Sequence, residues 1–348
     1  MKIQNENKEI VELSHGGGGK RMDQLIGFIS KKIGIRNSSE DLVGPEETDD
    51  SAVIKIRNTS NTLVLTTDSH TIDPVFFKGG NIGDLAVAGT INDLIVMGAK
   101  PLYLTLGMII EEGFTFSDLG RIAETIGNLC KKTGVRIVAG DTKVMPRGML
   151  SSIVLNTSGV GVLIREEPIK DSNAKPGDII IVTGTIGDHG TSLLSLREGL
   201  QFDTELESDV TPLWPALEKI VRDPRIHSMK DMTRGGFASA TNEIAVKSGV
   251  CLEINEEKIP MRPEAKAICE ILGLEIMEIS CEGRAIIIAD PSAEQDIIQE
   301  LRKHPETKDA RIIGKVISEP KKKVLIKTEI GGKRILDKPF GEPIPRVC

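Results

Sequence analysis

Seven aspartates, Asp49, Asp50, Asp68, Asp73, Asp93, Asp141 and Asp231, stand in loops or close behind apolar runs. Two runs are Leu63-Val64-Leu65-Thr66-Thr67-Asp68 and Ile137-Val138-Ala139-Gly140-Asp141. Carboxylates at the ends of neighbouring strands converge on one edge of a sheet, an arrangement suited to Mg²⁺ ions that hold a nucleotide's phosphates. Taken singly, an aspartate is more often a turn or cap residue, so the set carries more weight than its members. A second candidate is Ser14-His15-Gly16-Gly17-Gly18-Gly19-Lys20, whose glycines allow backbone N–H groups to curl round an anion beside a lysine. It lacks the P-loop spacing, and a flexible linker is the plain alternative. A third is Gly140-Asp141-Thr142-Lys143, in which the lysine is either half of a structural ion pair or an active-site cation.

The fourth candidate is the terminus, Pro343-Ile344-Pro345-Arg346-Val347-Cys348. The eleven residues from Lys338 to Cys348 span ~36 Å when extended. The adjacent α-carboxylate raises the thiol pKa and only Arg346 opposes it, so a role for Cys348 requires modification by a partner or inside a second site. An exposed thiol without a role is the alternative. The histidines, His15, His70, His189, His227 and His304, include no helical metal pair.

These residues need a scaffold to bring them together. Residues 1–45 read as an arm, with Met22, Leu25, Ile26, Ile29 and Ile33 at helical spacing up to Gly34. Over 46–165, strands are expected at 52–56, 62–67, 101–110, 135–139 and 151–164, with helices at 82–97 and 117–132. A polar linker with Pro168 and Pro176 precedes a second α/β unit over 170–335. Its expected strands are 178–183, 250–254, 284–289, 311–316 and 323–327, and its expected helices are 190–198, 215–221, 237–247, 263–271 and 293–303. The remainder, 336–348, is proline-rich and is expected to be an extended, mobile tail.

Composition narrows the choices. With 348 residues the chain is long enough for two domains. Only 3% of residues are aromatic and the net charge is -7, which argues against base-stacking, nucleic-acid binding and an anionic membrane surface. There is no 18-residue apolar run and no signal-peptide pattern at the start. Five scattered cysteines form no metal knuckle, so a reduced, cytoplasmic protein is expected.

Taken together, the motifs resemble the aminoimidazole-ribonucleotide-synthetase-like ATP-using superfamily. They are Leu13-Ser14-His15 with the glycines and Lys20, Asp49-Asp50-Ser51-Ala52-Val53, Thr67-Asp68-Ser69-His70, Gly79-Gly80-Asn81-Ile82-Gly83, Asn92-Asp93-Leu94, Gly140-Asp141-Thr142-Lys143 and Asp231-Met232-Thr233-Arg234-Gly235-Gly236. The ending Pro345-Arg346-Val347-Cys348 narrows the resemblance to the HypE family, the carbamoyl dehydratases of NiFe-hydrogenase maturation. The resemblance implies an α/β (α+β) fold of two domains, the N-terminal sheet pairing with a second copy into a dimeric barrel beside a C-terminal α/β domain. It implies ATP-dependent dehydration of an S-carboxamide on Cys348 to a thiocyanate, the source of the cyanide ligand on hydrogenase iron. By the same resemblance, the carbamoyltransferase HypF loads Cys348 and a HypC–HypD complex receives the cyano group. Asp50, Asp93 and Asp231 are implied Mg²⁺ ligands. Gly16, Gly17, Gly18, Gly19, Lys20, Asp68, Asn92 and Asp141 are implied nucleotide contacts, while Lys143 and Glu282 match positions that deprotonate the carboxamide nitrogen. A selenophosphate-synthetase-like phosphotransferase and a non-enzymatic carrier of a modified thiol stand as alternatives.

Overall fold

The computed structural model describes residues 10–57, 59, 61–197 and 205–341. A short 3-10 turn, Leu13–Gly16, leads into α1 (Lys20–Ile33), which Gly34 ends in the left-handed conformation. No residue of α1 is buried. Then follow β1 (Asp41–Val43), β2 (Ala52–Lys55), β3 (Thr62–His70), the small β4 (Phe76–Phe77) and β5 (Gly80–Asn81), α2 (Ile82–Val96), β6 (Ala99–Glu111), α3 (Phe116–Thr133), β7 (Arg136–Met145) and β8 (Ile153–Leu163). The first sheet runs β1-β2-β3-β8-β6-β7, and only β6 and β7 are parallel, joined by α3 as the crossover.

Helix α2 is apolar on nearly every side because it is enclosed on every side. It packs on β3 and β8 of the first sheet and meets the second domain across its other face. Its start is held by a capping box: Gly83 N donates to Asn81 Oδ1 at 2.8 Å and Asn81 N donates to Asp84 Oδ2 at 2.8 Å. One continuous hydrophobic cluster runs from α2 through the second sheet, so the halves share a core.

The second domain comprises β9 (Ile179–Val182), α4 (Asp188–Arg197), α5 (Trp214–Leu217), β10 (Ile226–Asp231), α6 (Gly236–Ser248), β11 (Cys251–Asn255), α7 (Pro263–Leu272), β12 (Ala285–Ala289), α8 (Glu294–Leu301), β13 (Arg311–Ile317), β14 (Lys323–Lys327) and β15 (Lys333–Ile335). Its sheet is ordered β10-β12-β9-β13-β11-β14-β15, with β11 and β14 parallel.

Most of the expected strands and helices are present. The expected helix over 215–221 is the four-residue α5 followed by a separate 3-10 turn at Ile220–Arg222, and the short β4, β5 and β15 have no counterpart in the expectations. Strands β3 and β7 run longer than expected, so Asp68 and Asp141 lie within strands rather than after them. Part of the expected arm, β1, joins the first sheet. Strand β10 has no counterpart in the expectations, because Ser228, Lys230 and Asp231 break its apolar pattern although all three are buried. The tail expected to be mobile from residue 336 is docked as far as Gly341: Leu336 is buried and its carbonyl accepts from Asn242 Nδ2 at 2.9 Å.

Candidate functional site

Three chain segments meet beside α2. The loop before β2 carries Asp49 and Asp50, and Ser51 Oγ ties it to the helix by donating to Asp93 O at 3.0 Å. From β3, Thr66 Oγ1 donates to Asp93 Oδ2 at 2.7 Å and lies 3.3 Å from Asp50 O. From the other domain, β10 delivers Lys230 and Asp231, and a turn through Gly235 and Gly236 then starts α6. Both glycines have positive φ, and a Cβ on Gly236 would lie 2.3 Å from Ile279 O. That close approach requires glycine.

Asp231 is buried, Asp50 and Asp93 are largely enclosed beside it, and the three carboxylates repel one another. Burial, then Asp231, Asp68 and Asp50, raises the Asp93 carboxyl well above its ordinary value. Burial likewise raises Asp50, and with the charges of Asp231 and Asp171 it outweighs the favourable Lys230. Asp231 is pushed up to about 6, first by burial and then by Asp68 and Glu243, against Lys230 and Arg234. Asp50 Oδ2 and Asp231 Oδ2 are buried without a hydrogen-bond partner. Mutually repelling carboxylates with spare buried oxygens are what a hard cation relieves. Among the described residues no three acidic, histidine or cysteine side chains already close round one point. The unpartnered oxygens of Asp50 and Asp231 would suit a hard divalent cation held jointly with other oxygen ligands.

Behind these carboxylates lies an alternating ion network that the sequence reading missed. Lys230 Nζ contacts Asp50 Oδ1 at 2.5 Å, Asp171 Oδ2 at 3.2 Å and Glu243 Oε2 at 3.2 Å. Lys247 Nζ contacts Asp49 Oδ1 at 2.7 Å and Asp171 Oδ2 at 2.8 Å, and donates to Thr48 O at 2.9 Å. Thr48 has φ 51°, a strained conformation for a β-branched residue, and it is held next to the aspartate pair. The available signal was Lys230 beside Asp231, a buried-strand lysine that can persist only with acidic partners.

A small cavity of about 60 Å³ adjoins the cluster, lined among others by Asp68, His70, Thr233, Arg234 and Glu282. His70 Nε2 is 3.4 Å from Asp68 Oδ2, and Arg234 Nη2 is 3.8 Å from Asp68 Oδ1. Glu282 is raised well above its ordinary value by burial and then by Asp68, Asp209 and Asp231. A carboxylate in that setting is a strong proton acceptor once ionised.

The other expected site residues lie outside the aspartate cluster itself. Asn92 is nearly inaccessible and its amide is committed to the second domain: Oδ1 accepts from Leu213 N at 2.8 Å and Nδ2 donates to Thr211 O at 3.1 Å. It therefore ties α2 to the chain around residues 211 and 213. Asp141 and Lys143 lie on β7 with their side chains 76% and 70% exposed, 4.0 Å apart. Strand β7 is three strands from β3, or ~14 Å, so one chain does not bring Lys143 to Asp68. The glycine segment is close-packed rather than loose: Gly17 and Gly19 are buried, and Ser239 Oγ donates to Gly18 O at 2.9 Å. Lys20 is exposed at the start of α1. Cys348 lies outside the described residues.

Residues 48–163 match the N-terminal domain of AIR synthase related protein, and residues 175–327 match its C-terminal domain. A putative hydrogenase expression/formation protein of Methanocaldococcus jannaschii is 45% identical over 335 residues, 96% of this chain and 98% of that protein. The carbamoyl dehydratase HypE of Rhizobium leguminosarum bv. viciae is 40% identical over 340 residues, 97% of this chain and 95% of that one. Among solved structures, the crystal structure of a HypE–HypF complex matches with a TM-score of 0.82 at 40% identity, covering 92% of this chain and 100% of that one. HypE in complex with ATP matches with a TM-score of 0.80 at 35% identity, covering 97% and 100%.

Proposed function

Because the chain belongs to the AIR synthase related family and, within it, to the HypE carbamoyl dehydratases of hydrogenase maturation, we propose that it dehydrates an S-carboxamide carried on Cys348. The balance is R–S–C(O)NH₂ + ATP → R–S–C≡N + ADP + phosphate. The amide oxygen bonds to the γ-phosphorus, ADP leaves, the nitrogen loses its two protons, and the C–O bond breaks as phosphate departs. An amide oxygen is a poor leaving group and phosphate a good one, which gives ATP its role.

The observation that carries the site assignment is the buried aspartate cluster with its two unpartnered oxygens. Asp50, Asp93 and Asp231 are the residues that would hold Mg²⁺, which neutralises phosphate charge when bound. Asp68 and the segment from Gly16 to Lys20 lie on the nucleotide side. Glu282, buried beside Asp68, takes a proton from the carboxamide nitrogen.

The chain works as a homodimer in this reading, through the open edge of the first sheet. Among the described residues no strand pairs with the outer side of β7, which exposes Ile137, Val138 and Val144. Pairing there supplies Asp141 and Lys143 to the site from the second protomer. HypF loads the thiol, a HypC–HypD complex accepts the cyano group, and the reaction is cytoplasmic. No described helix is long and apolar enough to cross a membrane.

The test is ATP turnover with and without prior carbamoylation by the carbamoyltransferase. Turnover that appears only after Cys348 carries a carboxamide supports an enzyme acting on its own tail. Turnover indifferent to the modification favours an ordinary phosphotransferase, and none at all favours a passive carrier.

A further inference from the structure

The described part of the C-terminal segment, up to Gly341, is held by several specific contacts. Lys338 Nζ donates to both oxygens of Asp23 on α1 at 2.8 Å and lies 3.0 Å from Glu243 Oε1 on α6, with its side chain only 14% exposed. Glu243 is the same carboxylate that contacts Lys230, the lysine on Asp50. The backbone of the following residues is used as well. Lys20 N donates to Pro339 O at 3.0 Å, and Arg21 N donates to Phe340 O at 3.3 Å. These are N–H groups of the first turn of α1, which have no partner inside the helix. The Arg21 guanidinium also lies 5.9 Å from the centre of the Phe340 ring.

Glycine is required where the two segments cross. A Cβ on Gly19 would sit 2.6 Å from Pro339 O and 3.3 Å from Gly341 N. The last glycine of the arm therefore has a packing reason independent of any anion: the C-terminal segment passes directly over it.

Resting on the function proposed above, we propose that Lys338, clasped by Asp23 and Glu243, anchors the root of the C-terminal segment, and that Lys338 is a positioning residue for delivery of Cys348. Ten residues follow Lys338, so an anchor there limits the reach of the sulfur to ~33 Å. Confinement turns encounter with the aspartate site into an intramolecular event of high effective concentration. The anchor acts on where the substrate begins its path.

The experiment uses the full-length protein with Lys338→Met, which keeps the length and loses the charge, and Lys338→Arg as the conservative rescue. Asp23→Asn is a second variant at an exposed position, so it tests the clasp without risking the core. Amide hydrogen exchange reads the anchor directly, because the Lys20 and Arg21 amides are the ones that bond residues 339 and 340. Single-turnover dehydration of pre-carbamoylated protein reads the function. Lys338→Met is expected to speed exchange at those two amides and slow dehydration by about tenfold, with ATP affinity and the rate of carbamoylation unchanged and with Lys338→Arg restoring most of the rate. Unchanged exchange and an unchanged dehydration rate overturn the proposal. An equal fall in ATP affinity and dehydration also overturns it, since that marks a general structural role. Failure of wild-type protein to dehydrate Cys348 sinks the functional reading instead, and the exchange data still decide the anchor.

Discussion

Two aspartate-bearing regions look alike along the chain and differ completely in three dimensions. Asp231 ends β10 and is buried between the domains, among Asp50, Asp93 and Lys230. Asp141 also follows a run of aliphatic residues, yet it sits in the middle of an open edge strand with 76% of its side chain exposed. Both strands end their sheets, and the difference is what covers them: β10 packs against α2 of the other domain, while among the described residues no strand pairs with the outer side of β7. The first region is built for charge that must be relieved from within. The second leaves its charged side chains exposed on a strand edge that also exposes Ile137, Val138 and Val144.

The largest consequence concerns the lysines. Lys230→Met leaves Asp50, Asp171 and Glu243 buried around a missing cation and should destabilise the protein by about 3–5 kcal/mol in denaturant titration. Lys143→Met, on the exposed edge, should change stability by less than ~0.5 kcal/mol. Comparable losses from the two would erase the distinction between the regions. Next comes Asp93→Asn, which replaces a carboxylate by a neutral amide. It should weaken ATP binding at fixed Mg²⁺ by about tenfold or more in calorimetry. Unchanged affinity would remove Asp93 from the metal site.

Much of the fold is legible in the sequence because its signals are local. The alternation of α2, β6, α3 and β8 follows hydrophobic period, and Gly34 and Gly134 mark helix ends. Strand β10 is not legible, since its polar residues are buried by partners in other elements: Lys230 reads as a surface residue until Asp50, Asp171 and Glu243 surround it. The same reason hides Lys247 and Asp171. Asn92 illustrates the converse, a motif residue whose amide holds residues 211 and 213 of the second domain. The motif aspartates themselves were legible as a set. Which of them lie together depends on how α2, the loop before β2 and β10 of the other domain pack, which no local pattern encodes.

A smaller effect separates the regions by pH. His189 is fully buried, with Nδ1 2.7 Å from Ser208 Oγ, and burial and then the Arg197 charge lower its pKa to about 3. Its neutral form therefore contributes stability that is complete above about pH 6.5 and is lost as pH falls toward 3. The loss reaches about 2 kcal/mol by pH 5. His189→Gln should flatten this slope in melts between pH 7 and 5, whereas Lys143→Met should leave it unaltered. A slope that survives His189→Gln assigns the pH dependence to other groups.

The central claim is that the buried aspartate site acts on the chain's own last residue. Intact mass spectrometry after incubation with the carbamoyltransferase, carbamoyl phosphate and ATP tests it most directly. Wild type should gain one carbamoyl group and then lose one water, and both changes should vanish in Cys348→Ala while its ATP binding persists. Loss of water in Cys348→Ala, or a modified peptide containing Cys130, Cys251, Cys269 or Cys281, would contradict the account.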